Sequence, residues 1–273
     1  MTNKIFPENF IFGTAVASYQ VEGGIYNNDW TIWENKKNTV CAEPCGEACK
    51  HYEKVDDDID LLENLGIRAF RFSIEWSRVE PQHGKFDEDA VLHYVSKAQK
   101  LIDKKIEPII TFHHFTTPDW LSKEGSWLNP NIDEYFGSYV EYMMNKLPKK
   151  IKFYNTINEP GIFAFFGYFS TTKFPPGIAD EKKFITASEN IMKAHQTALK
   201  TIKGINPEAM VGMTHALQEW EDHDTNKLKE YLKYHLEDKF LEASKQDDFI
   251  GLQTYTIVRY PKSILLKLVN PLL

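Results

Sequence analysis

Asn158, Glu159 and Pro160 end a short apolar run, Phe153-Tyr154-Asn155-Thr156-Ile157, and form the chain's most chemically suggestive group. Proline cannot extend a strand ladder and disfavours the helical region for the residue before it. The Glu159 carboxylate is therefore expected at a strand end, where parallel α/β sheets collect ligands and catalytic groups. Three more strand ends carry similar material: Ser18-Tyr19-Gln20-Val21-Glu22-Gly23-Gly24, Arg71-Phe72-Ser73-Ile74-Glu75-Trp76 and His113-His114-Phe115. Gln, His and Asn hydrogen-bond hydroxyl groups directionally, and aromatic faces stack on the C–H side of a sugar ring. Trp30, Trp33, Trp76, Trp120 and Trp127 sit in or beside these segments. This mixture is what a sugar site needs.

The elements that must position these groups alternate regularly. Strands are expected over 10–17, 69–73, 108–112, 153–157, 210–214 and 249–252, from apolar runs of strand length. Amphipathic helices are expected over 55–65, 90–104, 132–147, 184–205 and 227–243, with Gly66 and Gly204 suited to helix C-termini. Such alternation predicts parallel β/α units wound one way. The fold class is α/β, of (β/α)8 barrel type but incomplete, with about six units. The long segments 23–54, 116–130 and 160–183 are expected to be loops, and loops of this length are usually functional. The apolar tail, residues 259–273, is too short for two further units. A single partial barrel domain over 1–273 is expected.

At 273 residues, 42% hydrophobic and 26% charged, the chain can bury one sizeable core. Its net charge of -7, with lysines scattered among acidic residues, argues against a nucleic-acid partner. No apolar run has the length of a membrane span and the start lacks a signal-peptide core, so a cytoplasmic protein is expected. Cys41, Cys45 and Cys49 superficially resemble a metal site with His51 as fourth ligand, but Pro44 and Gly46 argue for a loop of reduced thiols. Neither a metal nor a cofactor is expected.

The chain resembles the retaining glycoside hydrolases of family 1, the β-glucosidase family. The resemblance runs through 6–23, 52–65, Arg71-Phe72-Ser73-Ile74-Glu75-Trp76-Ser77-Arg78, the His113-His114 region, Gly125-Ser126-Trp127-Leu128-Asn129 and Thr156-Ile157-Asn158-Glu159-Pro160, in the family's order. It covers about residues 5–258. It implies that Glu159 is the general acid/base, that Asn158 holds the sugar 2-hydroxyl, and that Gln20 and His114 bind other hydroxyls of the glycone. His113 then reads as a packing histidine. Arg71 and Tyr255 would support a nucleophilic carboxylate on a seventh barrel strand. The family's usual Asn-Tyr-Tyr stands here as Gln253-Thr254-Tyr255, so only Tyr255 carries over.

The strand-seven motif, a Glu before Asn-Gly, does not occur. Glu75 and Glu219 are poor substitutes, because retention requires carboxyl groups about 5–5.5 Å apart. Without that neighbour, the charge that would raise the pKa of Glu159 is also expected to vanish. The implied function is a β-glycosidase that is weak or inactive in this chain alone. A β-linked glycoside or small sugar is the expected ligand, with a second copy or a complementing C-terminal fragment as partner. A non-catalytic carbohydrate-binding protein and a self-associating incomplete barrel are the alternatives. Arg71 could also serve as an ion-pair partner of Glu75 or Glu159.

Overall fold

The computed structural model describes residues 6–221, 227–255 and 257–259. Residues 260–273 of the apolar tail lie outside the described residues. Eight strands are present among the described residues: β1 (Gly13–Ala15), β2 (Ala69–Ser73), β3 (Glu107–His113), β4 (Phe153–Asn158), β5 (Met210–Ala216), β6 (Glu219–Glu221), β7 (Phe249–Gln253) and β8 (Ile257–Arg259). Six of them form one sheet in the order β1-β2-β3-β4-β5-β7, every pairing parallel. The six expected strands are all found, though the first is only three residues long. β6 and β8, which the sequence did not suggest, form a separate parallel pair. The result is an incomplete (β/α)8 barrel.

The two faces of the sheet differ in chemistry. Phe70, Phe72, Ile110, Phe112, Tyr154, Val211 and Met213 are buried in the hydrophobic core with the covering helices. The opposite face carries a polar layer: Arg71 Nε and Asn155 Nδ2 donate to Thr111 Oγ1 at 2.9 and 3.3 Å, and Thr214 Oγ1 donates to Asn155 Oδ1 at 3.0 Å. Side-chain alternation along each strand separates the two layers. The apolar layer anchors the helices, and the polar layer leads to the strand ends where the site lies.

The two longest helices begin at acidic caps. Asp87 accepts from Ala90 N to start Glu88–Asp103, and Asp180 accepts from Lys183 N to start Glu181–Ile205. Helix Val55–Asn64 stops at Gly66, whose φ of +70° is the left-handed geometry that glycine adopts freely. Gly204 does not have that role. It lies inside Glu181–Ile205, and the extended Asn206 closes that helix.

The segments expected to be long loops contain helices: Asp29–Glu34 in the first, Asp119–Lys123 and Ser126–Leu128 in the second, and Pro160–Ala164 with Phe165–Phe169 in the third. Pro160 therefore starts a helix at its first position, where its missing N–H costs nothing. Trp76, Trp127 and Trp33 are buried, and Trp120 is half-buried against the core with Nε1 donating to Glu80 O, which leaves Trp30 beside the strand ends, its Nε1 donating to Phe115 O. No helix among the described residues is long and apolar enough to cross a membrane.

The three cysteines are free thiols, and Cys45 Sγ donates to Tyr19 O. His51, weighed as a fourth ligand, is committed elsewhere: its Nδ1 lies 2.5 Å from Asp58 Oδ2 and its Nε2 lies 2.7 Å from the buried Lys97 Nζ.

Candidate active site

Glu159 lies directly after β4 in the left-handed region, with φ 47° and ψ 58°. For a non-glycine residue before proline this backbone is strained, at a cost on the order of 1–3 kcal/mol. Two hydrogen bonds hold it: Glu159 N donates to Thr214 O at 2.7 Å, and Phe163 N donates to Glu159 O at 2.9 Å. The helix that follows is pressed against the turn Tyr234–Asp238. A Cβ on Gly161 would stand 1.9 Å from Leu236 O, so only glycine fits.

A register irregularity between Asn155 and Asn158 decides what faces the site. Strict alternation would put residues three apart on opposite faces. Instead, Asn155 joins Thr111 in the inner polar layer while Asn158 Oδ1 accepts from Arg71 Nη2 at 2.6 Å. Arg71 thus spans Thr111 and Asn158, and its Nη1 reaches Gln253 Oε1 at 3.5 Å. Its partners are neutral side chains, not Glu75 or Glu159 in an ion pair. Burial pushes the pKa of Arg71 down to about 10, with the charges of Glu159 and Tyr255 opposing.

His114 Nε2 lies 3.3 Å from Asn158 Nδ2. The amide nitrogen is the donor, so Nε2 presents its lone pair and Nδ1 carries the proton. That buried Nδ1 has no partner among the described residues. Burial first, then Arg71 and His113, lower the pKa of His114 to about 3, so the ring is neutral. His113 is packed between Trp127 and Phe163, with centroids 4.7 and 4.8 Å away, and burial alone lowers it to about 3. That environment fits a packing residue.

Tyr255 is exposed, and its Oη donates to Gln253 Oε1 at 3.1 Å, joining it to the group indirectly. Gln20 is exposed on the helical turn Ser18–Val21 after β1, and no contact joins it to Glu159. Its turn is nevertheless anchored. Ser18 N donates to Ser73 Oγ at 2.7 Å, and Ser18 Oγ donates to Glu75 Oε2 at 2.8 Å. Glu75 is wholly buried and also accepts from Ser77 and Thr116, so it ties three strand-end segments together and faces away from catalysis. Glu219 is exposed on β6.

Glu159 itself departs from expectation. Its pKa is raised although no second carboxylate is among the groups acting on it within the described residues. Burial raises it, while the Arg71 charge and a hydrogen bond from Gln253 oppose. The expected source of the shift was a neighbouring charge, and desolvation supplies it instead.

Gln253 is the site residue that sequence reasoning passed over. Its Nε2 lies 2.6 Å from Glu159 Oε1 and 3.1 Å from Asn158 Oδ1. Alternation along β7 offered a clue, because Gly251 and Gln253 pair with Thr214 and Ala216 of β5. A second unforeseen group is Thr156 Oγ1, His195 Nδ1 at 2.7 Å, and Asp247 Oδ1 at 3.0 Å from His195 Nε2. Hydroxyl, imidazole and carboxylate stand in nucleophile order, yet His195 and Thr156 have no exposed surface and no substrate could reach them. The chain of bonds ties the Glu181–Ile205 helix to β4 just before Asn158.

The arrangement has relatives. The model of glycosyl hydrolase family 1 matches residues 2–263. The chain belongs to glycosyl hydrolase family 1. Family 1 relatives include beta-glucosidase A of Acetivibrio thermocellus, 33% identical over 221 residues, which are 78% of this chain and 49% of that protein. A 6-phospho-beta-galactosidase of Staphylococcus epidermidis is 34% identical over 245 residues, 87% of this chain and 51% of the relative. The family 1 chain therefore spans about half the length of these curated relatives.

Solved structures agree on the fold. A beta-glycosidase from Pyrococcus horikoshii superposes with a TM-score of 0.86 at 33% identity, covering 95% of this chain and 65% of that one. Beta-glucosidase from Thermotoga maritima in complex with glucoimidazole gives 0.84 at 25% identity, covering 94% and 68%.

Proposed function

We propose that this family 1 chain carries the acid/base half of a retaining β-glycoside hydrolase site. Glu159 protonates the leaving oxygen and then, as a carboxylate, takes a proton from water. Asn158 holds the 2-hydroxyl, and Gln20 and His114 bind other hydroxyls of the glycone. Arg71 and Tyr255 support a second carboxylate. The observation that carries this reading is the convergence of Asn158, His114 and a burial-raised Glu159 on the end of β4 and its neighbour β3. A general acid must hold its proton near neutral pH, and desolvation favours that form.

Retention also requires a second carboxyl group about 5–5.5 Å from the first. The only charged group acting on Glu159 among the described residues is Arg71. The 273-residue chain alone is therefore weak or inactive, and a C-terminal fragment completing the barrel, not a second copy of the same sequence, would supply the missing carboxylate. The exposed edge strand β1 suits such pairing. Turnover of a nitrophenyl β-glycoside by the purified chain, abolished by Glu159→Gln, would overturn the inactivity. Titration calorimetry with the same glycoside tests the site itself: no heat of binding, from a folded chain, would remove the sugar-site reading.

Carbohydrate binding without catalysis is the second reading. It needs no second carboxylate, and none acts on Glu159 among the described residues, while the Nδ1–H of His114, without a partner among those residues, is a buried donor that is costly until a ligand oxygen arrives.

A further inference from the structure

The side-chain amide of Gln253 has every hydrogen-bonding position occupied. Nε2 has two protons and two acceptors, Glu159 Oε1 at 2.6 Å and Asn158 Oδ1 at 3.1 Å. Oε1 faces two donors, Tyr255 Oη at 3.1 Å and Arg71 Nη1 at 3.5 Å. The reverse orientation would set the amide oxygen against a carboxylate and an amide oxygen, and the NH2 group against a guanidinium. The chemistry of the neighbours therefore settles the orientation. Asn158 is fixed by the same means: its oxygen accepts from both Arg71 and Gln253, and one N–H is given to His114 Nε2, so only its second N–H remains to meet a ligand.

We infer that Gln253 is a positioning residue that reserves Oε2 of Glu159 as the oxygen carrying the exchangeable proton. Oε1 accepts an N–H at 2.6 Å and has no room for a proton of its own on that side. A neutral Glu159 then holds its proton on Oε2. In the transfer the Oε2–H bond breaks, the leaving oxygen gains the proton, and the resulting carboxylate charge on Oε1 is met by the Gln253 N–H. The same amide holds Asn158, so acid and hydroxyl binder keep one relative orientation. The side-chain length matters, because Gln253 must reach Asn158 at the end of β4 and Glu159 just after it from β7, across β5. This role rests on the proposed acid/base function of Glu159, but its test does not require turnover.

The experiment follows the Glu159 carboxyl carbon by 13C NMR in the 273-residue chain labelled at glutamate, with the resonance assigned by its loss in Glu159→Gln. Gln253→Met keeps the side-chain length and removes the donor. The Glu159 midpoint is expected to rise by about one pH unit when the hydrogen bond to the charged form is lost. Gln253→Glu should raise it further, with two coupled steps, because adjacent carboxylates resist joint ionisation. An unmoved midpoint in folded Gln253→Met would overturn the inference. Should that variant not fold, a Gln253→Glu chain titrating at the parent midpoint would overturn it equally. Absence of sugar binding with a shifted midpoint would count against the proposed function and leave the positioning intact.

Discussion

Arg71 reaches from β2 to Asn158 on β4, past the intervening β3, with Nη2 2.6 Å from Asn158 Oδ1. The guanidinium rests on β3 through Thr111 and arrives at the far strand with its planar fork intact. Its work in this chain is to orient a neutral amide, at a considerable desolvation cost.

Arg71→Lys should therefore weaken glycoside binding even though the charge is kept. An ammonium cannot serve Thr111, Asn158 and Gln253 from one plane. A loss of about 1.5–3 kcal/mol, tenfold or more in affinity, is expected by calorimetry. Affinity equal to the parent would show that Asn158 is oriented without Arg71.

Glu75→Ala removes the acceptor shared by Ser18, Ser77 and Thr116 in a fully buried setting. Unsatisfied donors and the lost packing should cost about 2–3 kcal/mol, seen as a lower urea midpoint. Because Ser18 anchors the Gln20 turn, residual glycoside affinity should also fall in the folded variant.

Gly161→Ala tests the contact behind the acid/base. The new methyl would overlap Leu236 O, so the helix Pro160–Ala164 or the turn Tyr234–Asp238 must move. A destabilisation of about 1–3 kcal/mol is expected by urea unfolding, as for overpacked cores. A midpoint like that of the parent would mean that the two elements separate freely.

Acid should destabilise the fold through histidines buried neutral. His113 has its pKa lowered from 6.5 to about 3. Between those values the unfolded chain binds a proton that the folded chain does not, so stability falls as pH falls through that window, by up to about 1.4 kcal/mol per pH unit. His113→Phe keeps the ring between Trp127 and Phe163 and removes the titration. The slope of unfolding free energy between about pH 6 and pH 4 should become shallower by one proton. An unchanged slope would place the acid sensitivity elsewhere.

Much of the framework was legible in the sequence because strand alternation and helix periodicity are local. The runs at 69–73 and 153–157 recur as β2 and the body of β4. The helix expected at 132–147 is found as Ile132–Lys146. The segment 160–183 read as a loop because Pro160 signals a break, while the same proline is favourable at the first position of a helix. Alternation from Arg71 would put Glu75 on the site face, but three hydroxyls from three segments turn its carboxylate into the core.

The sequence by itself determined the β/α alternation, the Asn158-Glu159-Pro160 strand end and the family to which the chain belongs. These depend on residue type and on separations of a few positions. Tertiary structure alone decided that Asn155 and Asn158 share a face, that burial raises the Glu159 pKa, and that Gln253 grips Glu159 from 94 residues away. Each of those depends on register and on what surrounds a group once distant strands are paired. Neither is written in the local pattern of any one segment.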